Sequence, residues 1–421
     1  MRLFTIPTNR PCLNYAKSYI DEIEFAEKKY GEDFIFLVMG SGEKGIDKIN
    51  SDEFTKWNNN GNRCIKYVNI DSQNRWIHDI INNSNVADKE LMVQIFNPPE
   101  NLICYGDVLN KSFLAAVSIG AKSLHRRDSD TCLINDNGRF PLDIEMKYLS
   151  YRYNQFKELN FESDEPIYFV GGNYTGEASG DFLRLYNVNP ELLYRHVGMN
   201  YPDKNKEEVR ELAIKRFVAA SNNTDEKEIV PVMDRMIELG NCAYYEVYKY
   251  LPVSPALEIM ATDYFIHDVL FALNLPNIYH KYRVEHNHTS ERSSIDWFVS
   301  YQMRSARYKV FSGIMTSGFK NFKKINSNIY IAAIDFAESL KKTLDSNDYV
   351  EIGRYKLETL KEIYLDSGLS DFKLVAKEIE GNEEKIINDV ENKVRKHVFL
   401  LENWSKLIES AEKHNIMNYI L

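Results

Sequence analysis

"FIFLVMGSG", residues 34–42, is an unbroken apolar run halted by Gly40-Ser41-Gly42. A run this short, bounded by glycines, reads as a strand buried on both faces, the mark of a parallel sheet covered by helices. Upstream, "RLFTIPT" (2–8) reads as a first strand ending at Pro7. Between the two, Leu13, Ala16, Ile20, Ile23 and Ala26 recur at helical spacing over 13–30. Downstream, "CIKYVNID" (64–71) and "MVQIF" (92–96) read as further strands, and a helix at about 107–118 leads into "AKSLHRR". Strand and helix alternate, so the expected class is α/β: a Rossmann-like, mostly parallel sheet flanked by helices. In such sheets ligands gather beyond the carboxyl ends of strands. Pro7-Thr8-Asn9-Arg10, Gly40-Ser41-Gly42 and Asp128-Ser129-Asp130 all fall at such ends.

The remaining half changes character. Residues 190–255 read as mostly helical and charged, with a helical insertion at about 190–235, and a strand signal returns at "KYRVEHNH" (281–288). Beyond 300 the pattern is helical to the end, giving an expected catalytic domain over 1–300 and a helical C-terminal region over 301–421. The apolar spacing of "EEKIINDVENKVRKHVFLLENWSKLIESAEKH" fits docking onto the main body or onto a second copy, as in a homo-oligomer.

Composition narrows the class. With 44% hydrophobic and 27% charged residues, the chain has the balance of a globular protein. A net charge of −10 argues against nucleic acid as a partner. The five cysteines are scattered with no C-x-x-C pair, which argues against a disulfide framework and a cysteine zinc site. No apolar run approaches the roughly 18 residues of a membrane span, and the start has no apolar leader core, so the expected location is cytoplasmic.

"SLHRRDSDTCL" (123–133) carries the chemistry. In an extended chain Asp128 and Asp130 share a side and can reach one hard cation, Mn²⁺ or Mg²⁺, which takes oxygen ligands. Arg126 and Arg127 beside them suit an anion shared with that cation, because a guanidinium matches phosphate oxygens. A lone D-x-D also arises by chance as a solvated turn, so the motif needs company.

Company comes from "GNCAYYEVYKYLPVSPALEIMATDYFIHDVLFAL" (240–273). Its Gly-Asn start, aromatic-rich helix, Leu-Pro break and Thr262-Asp263 opening a further helix resemble the acceptor side of bacterial A-fold (GT-A) glycosyltransferases of the family 2 type. The N-terminal Ile-Pro-Thr-Asn-Arg and the single D-x-D fit in the same order, over roughly residues 2–300. The resemblance implies a metal-dependent enzyme that moves a sugar from a nucleoside diphosphate sugar to an acceptor hydroxyl, with inversion. It makes Asp263 the catalytic base, with Asp268 as understudy. It sets Pro7, Thr8, Asn9 and Arg10 against the nucleotide and Asp128 with Asp130 on the metal at the diphosphate, where Arg126 and Arg127 suit the phosphate oxygens by their own chemistry. A downstream histidine, His286 or His288, would add a ligand. The sequence departs from the family in three places: His125-Arg126-Arg127 replaces an apolar strand, Thr262 replaces the first member of an acidic pair, and helices are inserted at about 190–235.

Other segments are weaker. "FVGGNYTGEASGDF" (169–182) is a glycine-rich loop able to approach a sugar, but it has neither a dinucleotide nor a P-loop spacing. Lys111 reads as an exposed helix lysine. Two further classes stay open: a haloacid-dehalogenase-like phosphatase with Asp128 as nucleophile and Asp130 as acid/base, and a nucleotide-sugar-binding protein without catalysis.

Overall fold

The computed structural model describes the chain except residues 100, 101, 103, 135–137, 177–181, 202, 203, 215, 216, 218–226, 234–236, 288–293 and 421. It is an α/β protein whose strands form two sheets. Among the described residues the large sheet holds eight strands: β1 (Arg2–Thr8), β2 (Phe34–Gly40), β3 (Lys66–Val68), β4 (Ser123–Arg127), β6 (Phe169–Gly171), β8 (Ile229–Val232), β9 (Asn241–Tyr245) and β10 (Asn277–His280). Their order is β3-β2-β1-β4-β9-β6-β10-β8. The small sheet holds β5 (Thr131–Leu133), β11 (Val284–His286) and β7 (Tyr174–Gly176), in that order.

β1 runs parallel to β2 and β4, and β2 to β3, as the buried run at 34–42 implied. β9 is antiparallel to both of its neighbours, β4 and β6, while β10 is again parallel to β6. Among the described residues the sheet is thus mostly parallel, with β9 reversed at its centre and β8 antiparallel to β10 at its edge. Strand β9 corrects the expected aromatic helix after Gly240: Cys242, Ala243 and Tyr244 are buried in the sheet, and only Val247–Tyr250 coil into a short helix. The other correction is "MVQIF", which lies inside a helix, Lys89–Phe96, started by the Asp88 side chain accepting from Leu91 N at 2.9 Å.

The connectivity builds one particular edge. The carboxyl ends of β1, β2, β4, β6 and β10 meet the start of β9 there. Each strand of the small sheet follows directly on a strand of the large one: β5 on β4, β7 on β6, β11 on β10. The small sheet therefore stands at this edge and carries β11 beside β5 and β7. Asn241 ties two of the crossings, its amide donating to Asn173 O at 3.1 Å and Tyr282 O at 3.0 Å.

Helices Pro190–Gly198 and Lys206–Ala213 lie in the expected insertion and share a small apolar cluster of Leu193, Val197, Val209 and Ala213. The C-terminal region is helical and begins earlier than 301, with a helix over Ile295–Phe322. Helix Glu383–Ala411 docks on the main body, as its pattern allowed: Trp404 Nε1 donates to Tyr248 O at 2.9 Å, and Ser410 Oγ to Ile80 O at 2.7 Å. One hydrophobic cluster joins sheet residues such as Leu3 and Val170 to tail residues such as Leu401 and Leu407. Among the described residues, no helix is long and apolar enough to cross a membrane.

Candidate functional site

Strand alternation on β4 decides the site. Successive side chains point to opposite faces, so Arg126 and Arg127 part company. Arg126 reaches the assembled edge: Nη1 donates to Asp263 Oδ2 and Nη2 to Asp128 Oδ1, both at 3.1 Å. Two distant parts of the chain thereby form one charged row of three residues, with Asp263 and Arg126 buried and Asp128 partly open.

Arg127 does not join them. It is fully buried on the other face, with Nη1 2.9 Å from Glu145 Oε1 and Nη2 3.3 Å from Glu22 Oε1. The row continues through Glu145 to His125 Nδ1 at 2.7 Å, then from His125 Nε2 to Ser123 Oγ at 2.9 Å. Arg2 Nη1 closes it by donating to Ser123 Oγ at 2.7 Å. The expected pair of guanidiniums from β4 is thus one, and Arg127 serves a core network.

The second arginine at the edge is Arg10. After β1 the chain turns, with Arg10 N donating to Thr8 Oγ1 at 3.2 Å and the Asn50 side chain capping Arg10 O at 2.9 Å. Arg10 Nη1 then stands 3.1 Å from Asp130 Oδ2. Thr8 is buried, Pro7 and Arg10 half-buried and Asn9 exposed. Ser41 N donates to Thr8 O at 2.7 Å, which joins the β1 and β2 ends. Gly42, at φ +88°, makes this turn possible and packs its open side against Asn9.

Asp128 and Asp130 lie on a turn, where an extended segment was expected. Thr131 N and Oγ1 both bond back to Asp128 O, at 3.2 and 2.9 Å, and reverse the chain into β5. The carboxylates consequently have different partners. Asp128 Oδ2 accepts from the Tyr174 hydroxyl at 2.8 Å, and that same oxygen of Tyr174 accepts from Gly240 N at 2.8 Å. Gly240 has to be glycine here, since a Cβ would stand 2.1 Å from Tyr174 Oη and 2.3 Å from Asp128 Cγ. Burial, then Asp128, push the Tyr174 phenol well above its ordinary range, so it stays a donor.

Asp130 faces His286 on β11, whose Nε2 is 3.8 Å from Asp130 Oδ2. The His286 ring stacks on Tyr174 with centroids 5.3 Å apart. Asp130 O also accepts from Asn287 N at 2.8 Å, fixing the turn against the strand. His288, the other expected ligand, lies outside the described residues.

Asp263 sits in a single turn, Thr262–Tyr264, ahead of helix Phe265–Ala272. Ala261 before it adopts a left-handed φ of 57°, a cost a non-glycine residue bears where the surrounding structure fixes the backbone. Burial pushes the Asp263 carboxyl up, and Arg126 opposes the shift. A carboxyl held above its ordinary range by burial is suited to taking a proton. Asp268 lies on the helix beyond, and Lys111 is buried with Nζ 2.9 Å from Asp107 Oδ2, which corrects its reading as an exposed lysine.

Among the described residues, no three His, Cys, Asp or Glu side chains form a metal-sized group. Asp130, on the turn after β4, and His286, on β11, offer two donors, while the oxygens of Asp128 are held by Arg126 and Tyr174. Two protein donors fit a cation of the Mg²⁺ or Mn²⁺ kind, which keeps waters and takes substrate phosphate oxygens.

Fold and site together define an α/β protein with a charged constellation at the carboxyl edge of a mostly parallel sheet. Residues 2–419 match the model of a family of unknown function, DUF6271, and the chain belongs to that family. No curated protein matches it.

Proposed function

We propose that this chain is a glycosyltransferase of A-fold type that uses a nucleoside diphosphate sugar and a divalent cation. The observation that carries the reading is the Asp263–Arg126–Asp128 row, which brings the expected base beside the expected diphosphate ligand across 135 residues of sequence (263 − 128). Residues Thr8, Asn9 and Arg10 border the nucleotide, at the ends of parallel strands where such ligands sit. Asp130 and His286 would hold the cation, with Asp128 beside them on Arg126 and Tyr174, and the cation would supply charge neutralisation to the departing diphosphate. Arg10 and Arg126 supply further positive charge to the same oxygens.

Asp263 takes the proton of the acceptor hydroxyl as its oxygen bonds to the anomeric carbon. The bond from that carbon to the diphosphate oxygen breaks, and the configuration inverts. Arg126 keeps the carboxylate aimed and, by its charge, keeps it from being protonated too early. The test supplies nucleoside diphosphate sugars with Mn²⁺ and follows products. Release of nucleoside diphosphate supports the reading. Release of inorganic phosphate from sugar phosphates, with a trapped phosphoryl group on Asp128, replaces it with the phosphatase.

A further inference from the structure

The opposite edge of the large sheet holds a polar cleft of about 560 Å³, walled by Arg2, Lys122, Tyr151, Arg152 and Glu246 among others. It is made where β1 and β4 begin and β9 ends, at the far end of the strands from the Asp263 row.

Arg2 is the informative residue. It is 8% exposed, and its guanidinium is incompletely matched. Nη1 donates to Ser123 Oγ, while Nε has no hydrogen-bond partner among the described residues. The carboxylate facing it, Glu32 Oε1, stands 3.7 Å from Nη2 and is drawn instead to Lys122 Nζ at 2.8 Å. A cation removed from water without a hydrogen-bonded counter-charge is costly, so such groups are ordinarily paired. Burial outweighs the pull of Glu32 and lowers the Arg2 pKa, which is the same deficit in another form.

Two features mark the cleft as formed in advance of any ligand. Ser150 and Glu246, both in its wall, hold left-handed backbones at φ 78° and 50°, conformations that non-glycine residues adopt only where their surroundings impose them. The Glu246 carboxylate is turned to Lys249 Nζ at 2.6 Å, leaving the cations of the cleft with Glu32 as their near acid.

We propose that this cleft is a second binding site, for a small oxyanion such as a phosphate or carboxylate group, seated on Arg2, Lys122 and Arg152. The oxyanion supplies the hydrogen-bonded counter-charge that Glu32, 3.7 Å away, does not give Arg2, and the two outer cations, whose side chains lie at the surface, draw it in.

Tungstate, a tetrahedral dianion visible by anomalous scattering, is the probe. Crystals of the full chain soaked in it should show a peak within hydrogen-bonding reach of Arg2. The same soak of Lys122→Glu/Arg152→Glu should lose that peak, and calorimetry with phosphate should show the affinity at this site falling at least about tenfold. Both substitutions are at exposed positions, so the variant should fold. A wild-type crystal with tungstate only at the Asp128 edge, or with none, overturns the proposal. A peak beside Arg2 that survives the double substitution overturns the assignment of Lys122 and Arg152.

Discussion

The Tyr174 hydroxyl donates to Asp128 Oδ2 at 2.8 Å while its ring lies flat against His286. One side chain thus braces both sides of the candidate cation site, and nothing in its glycine-rich surroundings announces it. Tyr174→Phe keeps the ring but leaves Asp128 Oδ2 and Gly240 N–H without this partner. The fold should survive with a loss of about 1–3 kcal/mol in urea unfolding. Mn²⁺-dependent nucleotide binding should weaken. Unchanged stability and unchanged binding together would show that the bond is incidental.

Gly240 is the tightest point of the site. Gly240→Ala should push Asp128 and Tyr174 apart, costing about 1–3 kcal/mol as crowding of a packed position does. A crystal structure of the variant in which Asp128 keeps both Arg126 and Tyr174 would refute this.

The core network predicts a pH dependence of stability. Burial raises the Glu22 carboxyl to about 7, although Arg127 pulls the other way. Its folded pKa exceeds its unfolded value near 4.5, so the stability it lends is complete below that value and is lost as pH rises through about 7. Glu145 runs opposite. Burial works against its charge, but Arg127 and His125 outweigh it and hold it at about 2, so its contribution is present above about 4.5 and lost as pH falls. Glu22→Gln should therefore remove part of the decline in unfolding free energy between pH 5 and 8. Parallel wild-type and variant curves over that window would count against the assignment.

Much of this was legible in the sequence, for reasons that differ by element. The run at 34–42 and the spacing at 13–30 follow from burial, which leaves a periodic trace, and both formed as read. β9 was hidden because Cys242–Tyr245 is apolar throughout, and a short run of that kind does not separate strand from helix. The edge location of Asp128, Asp130, Arg10 and Asp263 was readable from strand ends and motif order. Arg127 was misassigned because adjacency in sequence is opposition across a sheet. Tyr174 and Gly240 were missed as partners, since their meeting depends on strand pairing that no local pattern encodes.

Asp263→Asn preserves shape and leaves Arg126 its Asp128 partner. Turnover with a working acceptor should fall by roughly two to four orders of magnitude, the span for loss of a general base, with donor affinity retained. Near-wild-type turnover would move the base to another residue, Asp268 first.

Calorimetry of nucleoside diphosphates against wild type and Asp130→Ala, each with and without Mn²⁺, bears most directly on the claim that this edge is a nucleotide-sugar site. The account predicts that at least one nucleoside diphosphate binds wild type, more tightly with Mn²⁺, and that Asp130→Ala loses the metal's contribution while remaining folded. No binding of any nucleoside diphosphate to wild type, or the same affinity with and without metal in both proteins, would contradict it.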